Sequence, residues 1–203
     1  NAIAYYKLDE TSGDAIDVIN SHNGTLFSGV QQGAQGKIGN AYSFDGVDAY
    51  LKSNLDISTF THFTIRAWFK TSTNSTSNCL IGFGNTSAAG KLFNITVENG
   101  KIYIRVIGNK VFAETGFNDG NFHRIIVMLP LNGETKDIRC VVDNIELTQE
   151  AVNNNSLISV ASSNFFIGQT GINPLQHFDG VVDEVSVDAD YNLTLGEISD
   201  DYN

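Results

Sequence analysis

A chain of 203 residues carrying 12 Lys and Arg against 23 Asp and Glu, for a formal charge of −11, has no store of cations to meet a phosphate backbone, so a general nucleic-acid surface is excluded. With 41% hydrophobic residues, 19 Gly and only 2 Pro, residues 1–203 are expected to form one ordered domain with a sizeable core, not a linker. No stretch approaches the roughly 18 apolar residues that cross a bilayer, so no membrane insertion is expected.

Short runs of alternating apolar and polar residues follow one another from end to end, the mark of half-buried strands. Strands are predicted over 3–8, 24–28, 41–44, 48–52 and 63–69. In the last of these Phe63, Ile65, Ala67 and Phe69 alternate with Thr64, Arg66 and Trp68. Further strands are predicted over 79–84, 91–97, 102–107, 110–114, 122–129, 136–142, 145–149, 164–168 and 177–187. Asn99-Gly100, Asn118-Asp119-Gly120 and Asn132-Gly133 punctuate them as turns. One helix of note is predicted, in the tail from Thr194 to Tyr202, with Thr194 as its cap. About 14 short strands with turns roughly every 8–12 residues imply an all-β sandwich or barrel with minimal helix. Cys79 and Cys140 are too few for a zinc site. A disulfide between them and two separately packed thiols both stay open, and their apolar strand settings favour the second.

Four motifs stand in order along these strands. Ile3-Ala4-Tyr5-Tyr6-Lys7-Leu8-Asp9-Glu10 leads into the turn-rich Asp17-Val18-Ile19-Asn20-Ser21-His22-Asn23-Gly24. Gly36-Lys37-Ile38-Gly39-Asn40-Ala41-Tyr42-Ser43-Phe44-Asp45-Gly46 and Phe63-Thr64-Ile65-Arg66-Ala67-Trp68 follow, and Gly180-Val181-Val182-Asp183-Glu184-Val185 comes near the end. On these motifs, over nearly its whole length, the chain resembles the laminin-G-like jelly-roll modules of the concanavalin A-like lectin and glucanase superfamily. It departs from their pattern at Phe122-His123, where Phe replaces a usual Trp, and at Val142-Asp143-Asn144. The resemblance implies a two-sheet antiparallel jelly-roll sandwich in which Trp68 and His123 are packing positions. It also implies a structural calcium joining the early turn to the late strand. Asp17 and Asp183 would supply carboxylates to it, and Asn20 and His22 backbone carbonyls. Calcium is a hard cation that needs six to eight oxygens, which such loops can offer.

A sugar site pairs an aromatic platform with amide, carboxylate or guanidinium groups for the hydroxyls. Asn94, Thr96, Tyr103, Arg105, Phe112 and Glu114 fall on the strand phase opposite the expected core and form one candidate face. The loops 74–78, 85–91 and 168–177 form a candidate rim. Catalysis is not expected. The chain lacks the Glu-x-Asp-x-x-Glu strand of the sandwich glucanases, and Asp183 and Glu184, as strand neighbours, should point to opposite faces. The expectation is a noncatalytic carbohydrate-binding module with a glycan or polysaccharide partner. It would belong to a secreted or cell-surface protein, such as a bacterial adhesin or a polysaccharide-degrading enzyme, as part of a larger multidomain chain. A protein- or peptide-binding adhesion module and a structural spacer are the alternatives.

Overall fold

The computed structural model describes residues 2–57, 60, 62–84, 92–105, 109–112, 114–130, 134–152, 164–171 and 175–189. Its strands in chain order begin with β1 (Ala2–Tyr6), β2 (Thr25–Phe27), β3 (Gln31–Gln35), β4 (Asn40–Asp45), β5 (Tyr50–Ser53) and β6 (His62–Lys70). They continue with β7 (Cys79–Gly84), β8 (Leu92–Glu98), β9 (Lys101–Arg105), β10 (Asn109–Phe112) and β11 (Phe122–Pro130). The last are β12 (Arg139–Val142), β13 (Ile145–Glu146), β14 (Gln149–Val152), β15 (Phe165–Ile167) and β16 (Asp179–Ala189). A single 3-10 turn, Thr135–Asp137, is the helical content of the described residues. The expected tail helix lies outside them.

Two eight-stranded sheets form. The first runs β13-β12-β11-β6-β16-β4-β3, with β1 also on β16, and the second runs β14-β10-β9-β8-β7-β15-β5-β2. All of these pairings are antiparallel, so the sandwich reading holds. Alternation decides the layers, because side chains one residue apart leave opposite faces of a strand. Phe63, Ile65, Ala67 and Phe69 of β6 turn inward with Ile125, Val127 and Leu129 of β11. From the other sheet Phe83, Phe93, Ile95, Phe165 and Ile167 meet them. Phe63 lies edge-on to Phe93 at 5.5 Å and tilted against Phe83 at 5.9 Å, which ties the two layers together.

Tyr6 reaches across from β1 and is fully buried. Its hydroxyl donates to the His22 carbonyl at 2.6 Å and bonds Ser53 of β5 at 2.8 Å, so the phenol body packs while its polar tip stays satisfied.

One irregularity shapes the first sheet. Along one edge β16 pairs β4 through Asp179–Val182 and then β1 through Val185–Asp188. At the handover the register against β6 shifts between Asp183 and Ser186, and Glu184 has a φ of 52°. Val182 and Val185 both remain in the core, so two residues stand between successive inward side chains. The expectation that Asp183 and Glu184 face opposite ways is therefore corrected: this bulge turns both away from the core.

A second shift corrects Phe112. The β10–β14 register slips between Val111 and Phe112, and Phe112, at 1% exposure, is a core residue instead of an outward one.

Candidate functional site

The outer face of the second sheet carries a transverse row set by strand register. Thr25 pairs with Lys52, Lys52 with Phe166, Phe166 with Gly82, Gly82 with Asn94, and Asn94 with Arg105. These residues share one face because Leu51, Ile167, Ile81, Ile95 and Ile104, their neighbours in sequence, are all in the core.

Aromatic rings gather at the β2–β5–β15 end of this row. Phe27 and Tyr50 stack with centroids 4.6 Å apart and planes 8° from parallel. Phe166 lies 6.2 Å and His177 6.4 Å from the Tyr50 ring, and the Lys52 ammonium sits 5.9 Å over Phe166. Phe27 is 37% exposed, so the stack has an open edge. Beside it a groove of about 490 Å³ is lined by Asn23, Thr25, Phe27, Lys52, Asn54 and Asn164. Apolar ring faces next to amide, hydroxyl and ammonium groups are what a pyranose or furanose needs for its C–H face and its hydroxyls.

Segment 168–171 lies over the middle of the face and bonds back to 175–178. Thr170 N–H donates to the Gln176 carbonyl at 3.0 Å, Gln176 N–H to Thr170 Oγ1 at 3.1 Å, and Phe178 N–H to the Gly168 carbonyl at 2.9 Å. It fits only because residue 82 is glycine: a Cβ there would stand 2.5 Å from the Gln169 carbonyl oxygen and 2.9 Å from Asn94 Oδ1. The loop separates the aromatic end from the other half of the face.

That other half holds most of the residues expected to bind ligand. Arg105 grips Glu98 with both terminal nitrogens, donates to Thr96 Oγ1 at 2.8 Å, and lies 5.1 Å over the Tyr103 ring. The Glu98 carboxylate holds the Arg105 guanidinium above its usual range. Asn94 is 3% exposed and its Oδ1 has no partner. Asn94, Thr96, Tyr103 and Arg105 thus share a face as expected, but the guanidinium is already paired with an internal acid. Glu114 does not join them; its two oxygens accept the Thr148 N–H at 3.0 Å and brace the turn before β14. The 85–91 rim lies outside the described residues. His177 closes the 168–177 rim expected from the sequence, whereas Phe27, Tyr50 and Phe166 are not among the expected ligand-binding residues. Their outward phase could have been read for Tyr50 and Phe166 from the inward Leu51, Phe165 and Ile167.

The residues expected to hold calcium do not form one donor set. Asp17 Oδ1 accepts the N–H of Tyr5 at 2.9 Å and of Ile19 at 3.0 Å; Oδ2 accepts those of Asn20 and His22, each at 3.2 Å. A carboxylate offers about four lone-pair positions, and all are taken. The His22 carbonyl already accepts from Tyr6 and Ser53, and the Asn20 amide donates to the Ile3 carbonyl. Asp183 lies elsewhere, at the 36–39 turn, where its Oδ2 accepts the N–H of Lys37 at 2.8 Å and of Ile38 at 3.0 Å. It is fully buried, and its Oδ1 has no partner. Burial first, then the nearby Glu184 and Asp9 charges, push this carboxyl up to about 6 against the two N–H donors. Among the described residues no group of three or more His, Cys, Asp or Glu is placed to hold a metal ion.

Trp68 points outward from the first sheet and is 9% exposed, with the Lys37 ammonium 4.8 Å over its ring. His123 is held between Asp143, 2.7 Å from Nδ1, and Asp119, 3.1 Å from Nε2. Cys79 and Cys140 are both buried free thiols.

An antiparallel sandwich of this topology, with its ring-bearing outer face, is a concanavalin A-like jelly roll. The laminin G family model described as the Concanavalin A-like lectin/glucanases superfamily matches residues 44–199, and the chain belongs to that family. Among proteins of curated function none matches the sequence. Solved structures share the fold at low identity. Domain 4 of AbnA, a GH43 extracellular arabinanase from Geobacillus stearothermophilus, solved in complex with arabinotriose, superposes with a TM-score of 0.74 at 16% identity, covering 98% of this chain and 97% of that one. The receptor binding domain of botulinum neurotoxin mosaic serotype C/D gives 0.69 at 13% identity over 99% of this chain and 50% of that one. The binding domain of botulinum neurotoxin DC in complex with SialylT gives 0.68 at 10% identity, over 100% and 51%. This chain spans about half the length of those toxin domains. No helix among the described residues is long and apolar enough to cross a membrane.

Proposed function

We propose that this protein is a noncatalytic carbohydrate-binding module whose glycan lies on the aromatic end of the second sheet's outer face. The observation that carries the reading is the stacked Phe27–Tyr50 pair flanked by Phe166 and His177, with Lys52, Asn23 and Asn54 beside it. Rings on a preformed sheet lose little conformational entropy on binding and offer a flat apolar surface to a sugar ring. The arabinotriose and SialylT complexes of its structural neighbours support the class of ligand. They also support a place outside the cell within a larger protein, such as an adhesin or a polysaccharide-degrading enzyme.

Calcium belongs to this reading only through Asp183, the expected ligand that keeps a buried oxygen without a partner.

Affinity gel electrophoresis against arabinan and other neutral polysaccharides tests the site. Retardation should occur, and Tyr50→Ala and Phe27→Ala should each weaken it about tenfold or more, as loss of roughly 1.4 kcal/mol requires. Retardation untouched in both variants removes the site. Binding confined to protein ligands would favour the adhesion-module alternative.

A further inference from the structure

A second concavity lies on the opposite side of the molecule, on the outer face of the first sheet. It has a volume of about 300 Å³ and is walled by Tyr5, Arg66, Trp68, Arg124, Glu184 and Asp188. Strand register assembles it: Trp68 pairs with Arg124 on one side and Asp183 on the other, and Ser186 stands between Tyr5 and Arg66. The β16 bulge completes it. Glu184 has a left-handed backbone that non-glycine residues rarely adopt, and that conformation turns its carboxylate outward to meet the Tyr5 hydroxyl. Such strain persists only where surroundings enforce it, and it concentrates at functional sites.

The chemistry of the lining narrows the ligand. Among the lining side chains two guanidinium groups stand with two carboxylates, so the lining itself carries no net formal charge, and one ammonium, that of Lys37, sits behind them over the Trp68 ring. Arg66 lies 3.5 Å from Asp188, and the Tyr5 hydroxyl bonds Glu184, so donors and acceptors sit in adjacent couples. A vicinal diol, in which each hydroxyl both donates and accepts, matches such couples better than a carboxylate or an ammonium does. Ala2 and Ile38 add apolar surface for C–H groups, and the Trp68 ring, with the Lys37 ammonium 4.8 Å over it, completes the wall. The volume is at the lower end of the range of ligand pockets, about 300–1,000 Å³, which suits one ring and not a chain.

We propose that this pocket is a second binding site, for a single neutral sugar ring or a polyol of that size. It stands apart from the aromatic face, on the other sheet, and a module with both sites could engage two glycan segments at once.

Trp68 is the chain's one tryptophan, so its fluorescence reports this pocket and not the aromatic face. Titration of the whole protein with galactose, arabinose and glucose should give a saturable change in Trp68 emission, with a Kd on the order of millimolar. Tyr5→Phe and Glu184→Gln should each weaken it about tenfold. Ser186→Ala, a small change at a half-buried position between β1 and β6, should weaken it less. Tyr50→Ala should leave it unchanged while reducing polysaccharide retardation, which separates the two sites. A response to N-acetylneuraminate, glutamate or lysine but to no neutral sugar overturns the assignment, as does no saturable response at all. A sugar response that folded Tyr5→Phe, Glu184→Gln and Ser186→Ala proteins all retain overturns it equally.

Discussion

At the residue scale, buried charge is explained here by what each group holds together. Asp17, 6% exposed, closes the 17–22 turn against β1 with four backbone N–H groups. Removing it would orphan all four donors, each charge-assisted bond contributing more than a neutral one. Asp17→Ala is expected to lower stability by about 2–4 kcal/mol in urea denaturation, with or without calcium present. His123 works differently, because its partners reward the charged ring. Asp143 first, then Asp119, raise its pKa, while partial burial opposes them. A raised histidine favours folding fully below the unfolded value of about 6.5, and the gain fades as pH climbs past the higher folded value. The stability gap between the native chain and His123→Gln should therefore be widest in mildly acidic buffer and narrow in alkaline buffer. A gap that widens with pH would contradict the clasp.

Elements owe their placement to a few points where regular pairing breaks. The bulge in β16 brings Asp183 to the 36–39 turn and Glu184 to the Trp68 pocket; the slip in β10 sends Phe112 inward. Both were invisible to alternation, since a period of two carries no sign of the residue at which it skips. Gly82 is the matching device in β7, the gap that lets Gln169 and Thr170 lie across the sheet. Gly82→Ala should cost about 1–3 kcal/mol by overpacking. Because the loop carries His177 toward Tyr50, the same change should also weaken polysaccharide retardation in affinity gels. Loss of stability with retardation unaltered would detach the loop from the binding face.

On the scale of the whole molecule, a cation that binds only the folded state stabilises by mass action, by about 2.7 kcal/mol at a hundredfold excess over Kd. For a chain of this size that is a Tm rise of roughly 5–10 °C. If Asp183 is the anchor, calcium should raise Tm by this order and Asp183→Asn should abolish the rise; a melt indifferent to chelator removes calcium altogether. The layers themselves were legible before any coordinates. The alternation of Phe63, Ile65, Ala67 and Phe69 states which side of β6 faces the core, and the ordered motifs place the chain among jelly rolls. Alternation also put Asn94, Thr96, Tyr103 and Arg105 on one outer face. It could not tell that Arg105 is occupied by Glu98, or that Asp17 accepts four backbone N–H groups. Local pattern determines how a strand is divided between core and solvent, because that division depends on near neighbours in the chain. Only the assembled sheets decide which distant residues meet: Phe27, Tyr50, Phe166 and His177 come from four separate segments, and their register is set by long-range packing that no short stretch of sequence encodes.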